Sequence, residues 1–290
     1  MSLNRQLLNP QVFDSLPQVE AVLNYVVPNG EKPVNYTFEP PPGVPVQGGT
    51  YEERLLPIRS ARSIAPSLSL DREGFAYASH RSAVRNFDDP DEVRRIYYPE
   101  ARQIVQTATG ADRVIVFDYM IRKAGVAGVK QPVRTVHNDF TTKSIYVRAR
   151  KELEAIGCDN VDQQLQQRFA VVNIWRPIVE VVQELPLALC DAQSIAPTDW
   201  VATDIVYRDR VGETYAVAYN PAHRWFYFPQ LRRDEVVLIK CFDAATDGRA
   251  RFAAHTAFED PTTPANAPPR QSIELRTLVF YQPDQSGMNG

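Results

Sequence analysis

His137-Asn138-Asp139 sets an imidazole and a carboxylate two residues apart at the end of the apolar segment VRTVH. Side chains at i and i+2 of a strand share a face, so these two can converge on one ion. The chain holds only four histidines, His80, His137, His223 and His255, and any second imidazole must come from the other three. His223 and His255 both border strand-like segments downstream. Fifteen residues after His255 comes Arg270-Gln271-Ser272, at the mouth of the last apolar segment, with Arg276 further along the same face. Two imidazoles and one carboxylate with open positions are the donor set of non-haem Fe(II) oxygenases. A guanidinium fork suits the far carboxylate of a chelating 2-oxo acid such as 2-oxoglutarate, and serine adds a neutral donor. His137, Asp139 and His255 are therefore the expected ligands and catalytic centre, and Arg270 with Ser272 the expected co-substrate site. His223 is the rival ligand and Arg276 the rival cation. Zinc, which takes a similar ligand set in hydrolases, is the competing metal, although no His-Glu-x-x-His helix accompanies the pattern.

Such a site needs strands that bring distant residues together. Short runs rich in β-branched and aromatic residues occupy 113–122, 133–140, 169–178, 185–191, 213–219, 224–228, 234–242 and 272–281, separated by Pro, Gly, Asp and Asn. Many short strands imply a sandwich or barrel. A helix-like stretch follows Asp89, with Pro90 suited to its first turn and Gly110 to its C-terminal cap. Pro99 is expected to split it in two. A helical insertion is predicted over about 142–168, and residues 1–72, rich in proline, read as an extension or arm packed on the core. The expected fold is mainly β with flanking helices around a double-stranded β-helix, the jelly-roll or cupin-like barrel, spanning 73–290.

The 290 residues are 44% hydrophobic and 23% charged, an ordinary globular balance that excludes a disordered or collagen-like chain. A net charge of −3 provides no global positive field for nucleic acid or an anionic membrane surface. No apolar run approaches the roughly 20 residues of a membrane span, and the first residues lack a signal-peptide layout, so an intracellular, cytoplasmic protein is expected. Cys158, Cys190 and Cys241 are too far apart and too few for a disulfide framework or a zinc ribbon. The expected partner is a small molecule, with a homodimer compatible with an arm able to cap a second subunit. Trp175, Arg176, His223, Trp225 and Tyr227 lie in the most aromatic segments and are the candidate substrate-binding residues. Lys240, a charge inside an apolar strand, requires a partner.

Longer blocks carry a family resemblance: HNDFTTKS at 137–144, VVNIWRPI at 171–178, LPLALCDAQS at 185–194, HRWFYFPQLRRDEVVLIKCFD at 223–243 and HTAFEDPTTPANAPPRQSIELRTLVF at 255–280. Over roughly 75–281 the chain resembles the fungal and bacterial hydroxylase/desaturase family, which is grouped with the Fe(II)/2-oxoglutarate oxygenases. The resemblance implies a double-stranded β-helix, iron, 2-oxoglutarate, O2 and hydroxylation, desaturation or oxidative cyclisation of a natural-product intermediate. The stretch Ala244–Ala254 lengthens the approach to His255 and keeps His223 open as the distal ligand. A catalytically silent binding protein and a zinc hydrolase are the alternatives.

Overall fold

Residues 10–282 are described by the computed structural model. In chain order the strands are β1 (Gln18–Val27), β2 (Val34–Tyr36), β3 (Thr50–Ser60), β4 (Phe75–Ser79), β5 (Arg113–Lys123), β6 (His137–Asn138) and β7 (Phe169–Pro177). There follow β8 (Leu187–Cys190), β9 (Trp200–Val206), β10 (Val211–Val217), β11 (Trp225–Tyr227), β12 (Glu235–Asp243), β13 (His255–Ala257) and β14 (Gln271–Phe280). One sheet runs β1-β3-β11-β8-β13-β6-β10-β9-β2 and the other β4-β12-β7-β14-β5. The larger sheet curls, because bridges from Asn24 to Thr135 and from Val26 to Ala218 return β1 towards β6 and β10. The result is the expected double-stranded β-helix.

Period-two alternation divides β7 between two cores. Phe169, Val171 and Trp175 meet Val237, Ile239 and Cys241 of β12 and Leu187, Leu189 and Phe226 of the larger sheet, filling the space between the sheets. Ala170, Val172 and Ile174 face outward, under Val93, Tyr97, Ala101, Ile104 and Val105 of the helical run before β5. Each large apolar side chain buried in this way contributes roughly 1.5–3 kcal/mol. A third cluster, with Tyr25, Ile58, Cys190, Trp225, Tyr227 and Phe258, is enclosed by the curl of the larger sheet.

The helical run before β5 begins with the Asp89 carboxylate accepting from the backbone N–H groups of Asp91 and Glu92, and closes on Gly110 at φ 65°. Pro99 does not split it. A π turn at Val93–Tyr97 leads directly into Tyr98–Thr109, with Pro99 in the first turn. In the wider turn the Tyr98 N–H reaches back to the Val93 carbonyl, just ahead of the proline that has no N–H to donate. The predicted insertion consists of helices Thr142–Ala155 and Val161–Gln166, the first capped reciprocally by Thr141 and Ser144.

The N-terminal segment differs from the expected arm. Its first nine residues lie outside the described ones, but β1 and β3 form a long antiparallel pair, from Gln18↔Arg59 to Val27↔Thr50, and β3 docks parallel to β11. The strand signal was masked in β3 by Pro57, which has no N–H for a ladder, and by the exposed Leu55. Of the strand predicted over 133–140, only His137–Asn138 joins a ladder. Cys158, Cys190 and Cys241 are free thiols. Among the described residues no helix is long and apolar enough to cross a membrane.

Candidate metal centre

Antiparallel pairing of β13 with β6 sets His255 directly opposite His137, with ring centroids 4.5 Å apart. Asp139, one residue past β6, brings Oδ1 to 3.6 Å from His137 Nε2. One ligand atom from each of the three lies within 4.8 Å of the others. The Nδ1–H of His137 donates to the Thr135 carbonyl at 2.8 Å, and that of His255 to the Ala253 carbonyl at 3.2 Å. These bonds select the tautomer that leaves both Nε2 lone pairs for an ion. Burial, reinforced by the neighbouring His255 ring, pushes His137 down to about 4; burial also lowers His255. Both imidazoles are therefore neutral donors near pH 7.

Burial alone would raise the Asp139 carboxyl, but Arg276, followed by the two imidazoles, holds it well below the usual carboxylate range. Asn173 Nδ2 and Arg276 Nε both donate to Asp139 Oδ2, at 2.8 and 2.9 Å, leaving Oδ1 for coordination. Two neutral nitrogens and one carboxylate oxygen, with open positions, suit ferrous iron. Arg276 also meets Asp118 at 3.2 Å and Glu274 at 3.1 Å. Arg276, expected as the rival co-substrate cation, is thus already paired with three acids, Asp139 among them.

Beside the triad lies a cavity of about 20 Å³, lined also by Arg122, Val133, Trp175, Leu187, Arg270 and Glu274. It has room for about one water, so a dicarboxylate enters only as side chains move apart. Arg270 is 2% exposed and sits 5.1 Å over the Trp175 ring. Its guanidinium donates to the Leu185 carbonyl at 2.5 Å and to Ser272 Oγ at 3.4 Å, and pairs with no carboxylate among the described residues. Burial, then the charge of Arg122, pushes it down to about 9. A guanidinium remains protonated at neutral pH. The lowering thus comes from burial and the like charge of Arg122, which Glu274 and Glu184 offset only in part. Arg122 is the residue that sequence reading missed. It stands across from Ser272 in the β5–β14 ladder and donates to the Gln131 carbonyl at 2.8 Å. Its signal was a charge closing the apolar run RVIVFDYMIR, but the ladder that places it was not visible.

Of the five expected substrate-binding residues only Trp175 lines this cavity. Arg176, its neighbour on β7, points to the opposite face, where it donates to Tyr97 Oη at 3.0 Å and to the carbonyls of His80 and Arg233. His223 is held between Tyr25 Oη at 3.2 Å and Asp199 Oδ2 at 3.1 Å, whereas His255 is the imidazole that clusters with His137 and Asp139. On β11 it is Phe226 that faces the space between the sheets. Trp225 and Tyr227 alternate away from it, Trp225 donating to Tyr25 Oη at 2.7 Å and Tyr227 meeting the edge of Phe258. Lys240 pairs with Asp243 at 2.9 Å and with Asp71.

Residues 23–280 match the family described as the oxidoreductase/YMDC permease-like domain. The chain is 31% identical, over 91% of its length and 96% of the relative's, to the alpha-ketoglutarate-dependent dioxygenase phiK of a fungal species. The chain belongs to the Fe(II)/2-oxoglutarate-dependent dioxygenases. These enzymes use Fe(II), 2-oxoglutarate and O2. The dioxygenase is also 28% identical to the hydroxylase/desaturase CTB9 of Cercospora beticola, over 87% of each chain. The solved iron and alpha-ketoglutarate-dependent endoperoxidase NvfI of Aspergillus novofumigatus superposes with a TM-score of 0.83 at 28% identity, covering 92% of this chain and 99% of its own. The activities named for such relatives differ, so the barrel of this dioxygenase does not itself select the outcome of oxidation.

Proposed function

We propose that this dioxygenase holds iron through Nε2 of His137 and His255 and Oδ1 of Asp139, grips 2-oxoglutarate through Arg270, Ser272 and Arg122, and oxidises a small natural-product intermediate. One observation carries the reading: a neutral two-imidazole, one-carboxylate donor set shares its cavity with two guanidinium groups that have no carboxylate partner among the described residues. Bound iron, 2-oxoglutarate and O2 supply C–H oxidation, with 2-oxoglutarate consumed to succinate and CO2.

The chain's own residues prepare for that chemistry. The carbonyls of Thr135 and Ala253 orient the imidazoles. Asn173 and Arg276 hold Asp139 by one oxygen and keep it ionised. Ferrous iron with one carboxylate leaves a charge of +1 (2 − 1), which favours an anionic chelator. Arg270 and Ser272 lie at the mouth of β14, where a charge-assisted pair to the far carboxylate contributes about 1.5–3 kcal/mol. Trp175 and Leu187 exclude water from the same wall. The hydroxylase/desaturase and endoperoxidase names among the relatives support hydroxylation, desaturation or oxidative ring closure as the outcome.

Oxygen-free titration of the full chain with Fe(II) and 2-oxoglutarate tests this. A weak visible charge-transfer band is expected, absent in His137→Ala and retained in His223→Ala. Tight zinc retention with hydrolytic turnover and no succinate would overturn the iron assignment.

A further inference from the structure

A second and larger cavity, about 640 Å³, lies away from Arg270 and shares no lining residue with the metal cavity. Its size is that of a pocket for a drug-sized ligand. Trp200, Tyr215 and Phe252 form its aromatic wall, each ring 5.3–5.6 Å from the other two. Arg72, Arg249 and Arg251 also line it, and no acidic side chain does. Arg72 is paired with Glu73, and Arg249 with Asp71 and Asp247. Arg251 differs. Its Nε donates to the Asp243 carbonyl at 2.9 Å, its guanidinium lies 5.5 Å over the Phe252 ring, and no carboxylate partners it among the described residues.

Two segments lead from this groove to the triad. Thr142 follows Asp139 by three residues, and Phe252 precedes His255 by three. Three residues span at most about 11 Å. Along β14, the Arg270 cavity stands at the start and Arg276 meets Asp139 in the middle. Phe280 at the far end stacks on Phe169, which leads through Phe242 to Phe252. The groove is thus reached from the far end of β14, and the Arg270 cavity stands at its start.

We infer that this groove docks the body of the substrate, and that it selects a flat unsaturated or fused-ring molecule bearing a carboxylate that pairs with Arg251. The inference rests on the oxygenase reading, since two of the groove's lining residues stand three positions from expected ligands of that centre. Aromatic walls favour planar faces at stacking distance, and an unneutralised guanidinium over a ring favours an anion beside it.

The test uses the full chain with oxygen-free Fe(II) and saturating 2-oxoglutarate, and two fluorescent ligands, anthracene-2-carboxylate and its methyl ester. The acid is expected to bind about tenfold or more tightly than the ester. That preference should vanish in Arg251→Met, with Arg251→Gln as the second variant, and Trp200→Leu should weaken both ligands by about two- to tenfold. Equal binding of acid and ester, a preference surviving both Arg251 variants, or acid binding that appears only when 2-oxoglutarate is omitted would overturn the inference; the last would place the acid at Arg270. The charge-transfer band separates the two readings. A wild-type protein with the band and no acid preference sinks the groove alone, whereas Arg251-dependent binding without the band sinks the oxygenase reading and leaves the groove as an anion-selective aromatic site.

Discussion

Two arginines six residues apart along one strand face meet opposite electrostatic circumstances. Arg276, in the middle of β14, is surrounded by Asp139, Asp118 and Glu274, which together raise it well above its ordinary value against the effect of burial. Arg270, at the mouth, is equally hidden, but its guanidinium has only a carbonyl and a hydroxyl for partners among the described residues. One guanidinium is neutralised by acids in direct contact; the other is not. The difference teaches that residue type and strand face do not assign a role, whereas the balance of buried charge does.

Breaking the neutralised region is expected to have the larger effects. Asp139→Ala removes a ligand and should abolish both iron retention and succinate formation; stoichiometric iron by elemental analysis in this variant would refute the donor set. Arg276→Met leaves Asp139 and Glu274 buried beside each other without their cation. Urea unfolding of the metal-free protein should then show a loss of about 3–5 kcal/mol, the cost of breaking a buried charge pair from one side.

At the mouth the expected pattern reverses. Arg270→Met should weaken 2-oxoglutarate binding about ten- to a hundredfold, measured by titrating the charge-transfer band, while changing unfolding free energy by less than about 1 kcal/mol. If Arg276→Met loses only co-substrate affinity and Arg270→Met loses stability, the comparison is inverted and both roles exchange. The smallest effect at the iron should come from His223→Ala. Its removal takes one of several partners from Asp199 and from Tyr25 and costs about 1 kcal/mol of stability, with metal affinity unchanged.

Much of this was legible locally. His137 and Asp139 share a face by strand alternation, and Arg270 and Ser272 do so by the same rule. The capped helix from Pro90 to Gly110 and the insertion after Thr141 follow from cap chemistry. Less legible was which side of an aromatic strand looks at the site. Trp225 and Tyr227 read as pocket residues, but one neighbour of β11 is β3, a strand hidden by Pro57, and the curl that β1 and β3 complete turns those two side chains into a core of their own. Arg122 escaped notice because its importance comes only from lying across the ladder from Ser272.

The sequence by itself determined the available donors: four imidazoles, a His-x-Asp on one strand face, an Arg-x-Ser at the head of another. Tertiary structure decided which of them act together. Register between strands more than a hundred residues apart set His255, and not His223, opposite His137. Packing then set three acids against the Arg276 guanidinium and, among the described residues, none in direct contact with that of Arg270. Alternation is a property of neighbouring residues and can be read from their order, whereas neutralisation of a buried charge depends on which distant groups the fold brings within a few ångströms.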